Sequence, residues 1–118
     1  MRHRALTILF FAYWSFLYIG THLPEEAVRG PAFQADKLIH VAAYGILAWL
    51  AIGFCRIRGP VTSRRVTRWF LILAGFSIFD ELTQMAVPGR YADPADFFAD
   101  LVGISLGMIA GLLVFDRS

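Results

Sequence analysis

The sequence predicts an all-α integral membrane bundle of four transmembrane helices with both termini in the cytoplasm. Three observations carry this expectation. Four apolar runs of 16 to 19 residues follow one another along a chain of 118. Apolar residues make up 58% of the chain and charged residues 17%, against roughly 45–50% and about 25% in soluble domains. The arginines are distributed unevenly among the connections between the runs. One domain, residues 1–118, suits this length.

The first run, Ala5 to Gly20, follows Arg2, His3 and Arg4. A positive flank of this kind also opens a signal peptide. The run ends Leu17-Tyr18-Ile19-Gly20, without a small-x-small cleavage pattern, so an uncleaved helix over about 5–20 is expected. Residues 21–35 are polar and contain two prolines and a glycine, which argues for a loop. The second run, opened by Asp36-Lys37, predicts a helix over about 37–55. Gly59-Pro60 marks a turn in an arginine-rich connection. The third run predicts a helix over about 69–87, ended by Pro88-Gly89, and the fourth a helix over about 97–115. Spans of ~17–25 residues cross a bilayer, and in lipid helices are the spanning structure a run of this length can form.

Orientation follows from arginine bias. Arg2, Arg4, Arg56, Arg58, Arg64, Arg65, Arg68 and Arg117 all fall on one side, eight of the eleven basic residues. That side is the expected cytoplasmic face of a multi-pass membrane protein, with the lipid bilayer as its first partner. The net charge of +2 is too small to point to nucleic acid. The single cysteine, Cys55, excludes an intramolecular disulfide and a cysteine-rich zinc site.

The third and fourth runs carry the unusual chemistry. Asp80, Glu81 and Gln84 interrupt one; Asp93, Asp96 and Asp100 precede or enter the other. Counted from Trp69, Asp80 should lie roughly 16 Å from the inner end, near the middle of the bilayer. A charged side chain there costs about 2.5–3.5 kcal/mol on insertion scales, so intramembrane acids read as functional. Asp36, His40 and Tyr44 recur at i, i+4, i+8 on one face of the second helix. Asp96 and Asp100 share a face with Gly103, Gly107 and Gly111, whose G-x-x-x-G spacing lets a neighbouring helix approach closely. The expected ligand-binding set is Asp36, Lys37, His40, Tyr44, Asp80, Glu81, Gln84, Arg90, Asp93, Asp96 and Asp100, in one pocket open to the outer face. Several of these have readings without chemistry: Asp36–Lys37 and Arg90–Asp93 as interfacial ion pairs, Asp96 as a helix cap, His40 as a packing residue, and the glycines as purely structural.

The segments Asp36-Lys37-x-x-His40-x-x-x-Tyr44, Asp80-Glu81-x-x-Gln84, Pro88-Gly89-Arg90 and Asp93-x-x-Asp96-x-x-x-Asp100-x-x-Gly103 resemble the VanZ-like family of bacterial membrane proteins. The resemblance covers nearly the whole chain. It implies an association with teicoplanin resistance and the cell envelope. The family usually carries Asn where this chain has Asp100.

Three functions compete. The first is binding of an envelope component, a lipid-linked precursor or glycopeptide, with Arg90, Lys37 and His40 donating to phosphate or carboxylate. The second is a membrane-embedded, metal-dependent hydrolase or transferase acting on a lipid-linked phosphate. Asp80, Glu81, Asp96 and Asp100 are then candidate ligands of a divalent cation such as Mg²⁺, and Glu81, His40 and Asp80 the candidate catalytic groups. No phosphatase, protease or P-loop motif accompanies them, and Ser77 lacks a nucleophile elbow. The third is ion or proton translocation, for which no charged residue marks the inner half of any run.

Overall fold

A computed structural model describes residues 2–22, 33–87 and 94–115. These form four helices and no strand: α1 (Arg2–Thr21), α2 (Phe33–Ile57), α3 (Ser63–Gln84) and α4 (Pro94–Phe115). The all-α class predicted from the runs is therefore what the chain adopts.

Many large apolar residues face outward, and the acids Asp80, Glu81, Asp96 and Asp100 face inward. Phe16 is 74% exposed, whereas Asp80 and Asp100 are fully buried. Ile8, Ile19, Leu38, Leu71, Leu106 and Leu113 are likewise exposed on the outside of the bundle. Water would penalise such a surface; hydrocarbon does not. The helical segments His3–Thr21, Lys37–Ile57 and Pro94–Phe115 are long and apolar enough to cross a membrane. α3 has the length, 22 residues, or roughly 33 Å. Its charges lower its hydropathy: Arg64, Arg65 and Arg68 near one end, Asp80 and Glu81 near the other.

The helices alternate in direction. Phe10 on α1 packs tilted against Phe54 on α2 and edge-on against Trp69 on α3, with ring centroids 5.2 and 5.5 Å apart, and Trp14 meets Trp69 and Phe76. These aromatics fill the core of the half of the bundle near the α2–α3 turn. Gly59 adopts a positive φ of 146° in that turn, a conformation that glycine alone adopts readily. Arg65 Nη1 donates to the Pro60 carbonyl at 2.5 Å, and Thr62 caps α3 by accepting from the Arg65 amide at 3.2 Å.

α3 starts six residues before the apolar run that announced it. Arginine is a good helix former, so the helix continues past the apolar boundary to its cap at Thr62. At its other end the amides of Met85, Ala86 and Val87 bond three residues back, to Leu82, Thr83 and Gln84. Pro88 follows, and a residue before proline disfavours the α conformation. Asp80 is thus 17 residues from Ser63 and four from Gln84. It lies about 6 Å from the end of its helix.

The most extensive interface joins α2 and α4, which run parallel. A Cβ on Gly103 would collide with the carbonyl of Val41, and one on Gly107 with the carbonyl of Gly45. On Gly111 it would come within 2.8 Å of the Ile52 side chain. The two backbones therefore meet without intervening side chains. Gly107→Val should destabilise the protein by on the order of 3 kcal/mol, the upper end for overpacking, because backbone cannot rotate out of the way. Gly75 has open space around it, so Gly75→Ala should be neutral or stabilising by up to about 1 kcal/mol. Melting of both variants in detergent measures the contrast.

Candidate functional site

The bundle end opposite the α2–α3 turn gathers the last turns of α1 and α3 and the first turns of α2 and α4. Two buried carboxylates form its centres.

Asp100 is the first. Its Oδ1 lies 2.8 Å from His40 Nδ1, and its Oδ2 accepts from Ser77 Oγ at 2.7 Å. Three helices thereby meet at one carboxylate. His40 Nε2 lies 3.9 Å from Asp96 Oδ2, and Asp96 Oδ1 accepts from Lys37 Nζ. Lys37, His40, Asp96 and Asp100 thus line the parallel α2–α4 seam, with Lys37 outermost. The register follows from the glycine contact: Val41 opposite Gly103 sets His40 beside Asp100, one turn earlier on α4.

Asp80 is the second. Tyr44 Oη donates to its Oδ2 at 2.7 Å, and Thr21 Oγ1 donates to its Oδ1 at 2.5 Å. His22 Nδ1 stands 3.6 Å from the same Oδ1, while His22 Nε2 lies 2.7 Å from Thr83 Oγ1. Tyr18 also donates to Thr83 Oγ1, at 3.2 Å. Asp80 therefore ties α1 and α2 to α3.

Glu81 and Gln84 are buried beside these centres. The Gln84 amide nitrogen has no hydrogen-bond partner among the described residues. His40, Glu81 and Asp100 offer ligand atoms that all lie within 4.8 Å of one another. That grouping differs from the one drawn up from sequence. Both Asp80 oxygens are engaged by hydroxyls and Asp96 is engaged by Lys37, while His40 replaces them beside Glu81 and Asp100.

Of the residues singled out by sequence, Lys37, His40, Tyr44, Asp80, Glu81, Gln84, Asp96 and Asp100 are all present at this end. The side chain of Asp36, and Arg90 and Asp93, lie outside the described residues. Ser77, Thr21, His22 and Thr83 also take part and were not anticipated. A signal for Ser77 existed: with Asp80, Glu81 and Gln84 it occupies i, i+3, i+4 and i+7, one helix face. None existed for Thr21 and His22, which reach Asp80 from the far end of another helix.

A family model for VanZ/LLP1 matches residues 3–115. The chain belongs to the VanZ/LLP1 family. The match runs through all four helices of this VanZ/LLP1 protein, including both carboxylate centres. No match is found among curated proteins or among solved structures.

Tyr44→Phe keeps the ring and removes the donor to Asp80. A hydrogen bond to a charged group contributes about 1.5–3 kcal/mol, so this variant should melt measurably lower in detergent than the parent. An unchanged melting curve would mean that Asp80 is solvated by water and is not held by Tyr44.

Proposed function

We propose that this VanZ/LLP1 membrane protein binds the polar head group of a cell-envelope component at the acidic end of its bundle. One observation carries the reading: ionisable groups from three helices converge at a single end of a bundle whose exterior is apolar. Purely structural packing in lipid favours small apolar residues at the seam, and α4 already has them at Gly103, Gly107 and Gly111. The carboxylates, His40 and Lys37 add ionisable groups to that small-residue packing. Carboxylates accept from sugar and amide groups, and Lys37 donates to phosphate or carboxylate. The family's association with teicoplanin resistance directs the choice of ligand to a lipid-linked cell-wall precursor or the glycopeptide itself.

In this reading the protein is a multi-pass component of the bacterial cytoplasmic membrane, with the acidic end facing out. Arg56, Arg58, Arg64, Arg65 and Arg68 flank the turn at the opposite end, as the positive-inside rule asks of a cytoplasmic face. Reporter fusions after Ser118 and within residues 25–33 should then report opposite sides. A common side for both would overturn the orientation.

Binding is tested in cells and in micelles. Cells expressing the parent should tolerate more teicoplanin than cells expressing Lys37→Gln at equal membrane abundance. Purified parent should bind a polyprenyl-linked cell-wall precursor or teicoplanin at least about tenfold more tightly than Lys37→Gln, the loss of one charge-assisted contact. Equal tolerance together with equal binding would rule the reading out.

A further inference from the structure

We infer that His40, Glu81 and Asp100 form a binding site for one divalent transition-metal ion, with Zn²⁺ the best chemical match. The inference goes beyond head-group binding and stands without it. Three different helices supply the donors: His40 from α2, Glu81 from α3 and Asp100 from α4. All three residues are buried and their ligand atoms lie within 4.8 Å of one another.

The spacing suits a small cation. Donors about 2.0–2.1 Å from a tetrahedral metal are roughly 3.3 Å apart. His40 Nδ1 and Asp100 Oδ1, at 2.8 Å, need only slight separation to admit the ion between them, in place of the proton they now share. An imidazole nitrogen with two carboxylates is a donor set for zinc, manganese or iron; Mg²⁺ and Ca²⁺ prefer oxygen alone. The nitrogen therefore shifts the choice away from the Mg²⁺ suggested by a purely carboxylate set.

Two of the three donors, Asp100 and His40, also have outer partners of the kind that orient metal ligands. Ser77 Oγ holds Asp100 Oδ2 at 2.7 Å, and Asp96 Oδ2 lies 3.9 Å from the second ring nitrogen of His40. Asp96 is itself held by Lys37. A second, independent observation points to a ligand here. Gln84, only 3% exposed, lies one turn beyond Glu81 on the inward face of α3, and its buried amide nitrogen has no hydrogen-bond partner among the described residues. A water or hydroxide bound at this end of the bundle would give that nitrogen an acceptor.

Asp100 is the ligand whose charge can be removed with the least change of shape. With asparagine in its place, the hydrogen-bonding shape towards Ser77 and His40 persists and one anionic ligand disappears. Asp100→Asn is therefore a test that conserves volume.

The full-length protein in detergent is stripped with a chelator, reloaded with Zn²⁺, Mn²⁺ or Mg²⁺, desalted, and its metal content counted by mass spectrometry. About one Zn²⁺ per chain should be retained, and no Mg²⁺. His40→Ala, Glu81→Gln and Asp100→Asn should each weaken Zn²⁺ binding at least about tenfold, the lower bound seen even for loss of an outer partner. His3→Ala, at the other end of the bundle, should leave it unchanged. Zn²⁺ should raise the melting temperature of the parent and leave that of Glu81→Gln unmoved, a readout valid for any variant that still melts cooperatively. Retention of Zn²⁺ by the parent no better than by Glu81→Gln, or equal retention of Mg²⁺, would overturn the assignment.

Discussion

The rest of the structure depends on the contact between the backbones of α2 and α4. Gly103 and Gly107 lie so close to the carbonyls of Val41 and Gly45 that no side chain fits between them. In hydrocarbon there is no hydrophobic force to drive helices together, so association comes from packing and hydrogen bonds, and glycine permits both. The consequence extends along the seam. Because the helices run parallel and touch at Val41 and Gly103, His40 meets Asp100 and Lys37 meets Asp96 on the same side. A bulkier α4 would separate these pairs and leave carboxylates buried without donors.

That arrangement resolves the cost of placing acids in a membrane protein. Asp80 and Asp100 are fully buried, and each is met by donors from two other helices: Thr21 and Tyr44 for Asp80, His40 and Ser77 for Asp100. Hydrogen bonds to a charged group contribute more than neutral ones, and an unmet buried charge costs more still. The two carboxylates therefore fix the relative positions of all four helices at one end. At the other end apolar and aromatic packing does the same work through Phe10, Phe54 and Trp69.

Under the proposed function, holding the bundle and offering a binding site would not be separate properties. Lys37, His40, Glu81 and Asp96 are set by the fold in positions where a polar head group or a cation would exchange with existing partners. Ligand binding would then be coupled to the rigidity of this end of the bundle, since a group that replaces one hydrogen bond must preserve the others.

The helical class and the membrane setting were legible in the sequence, because apolar run length and low charge are local properties that lipid constrains tightly. The face shared by Asp96, Asp100, Gly103, Gly107 and Gly111 was legible too, since helical spacing alone places residues on one side. Helix ends were less so: α3 continues to its cap at Thr62 through arginines that hydropathy assigns to a loop, and it ends at Gln84, four residues beyond Asp80. Partners were not legible at all. Tyr44 and Asp80 are 36 residues apart, and Thr21 and Asp80 are 59. No spacing rule connects such positions. Sequence by itself determined which residues are too polar for lipid and which helix face carries them. Only the tertiary structure decided that Asp80 belongs to Tyr44 and Thr21, and Asp100 to His40 and Ser77, because pairing depends on the register of helices in contact and that register is set by backbone approach at glycine.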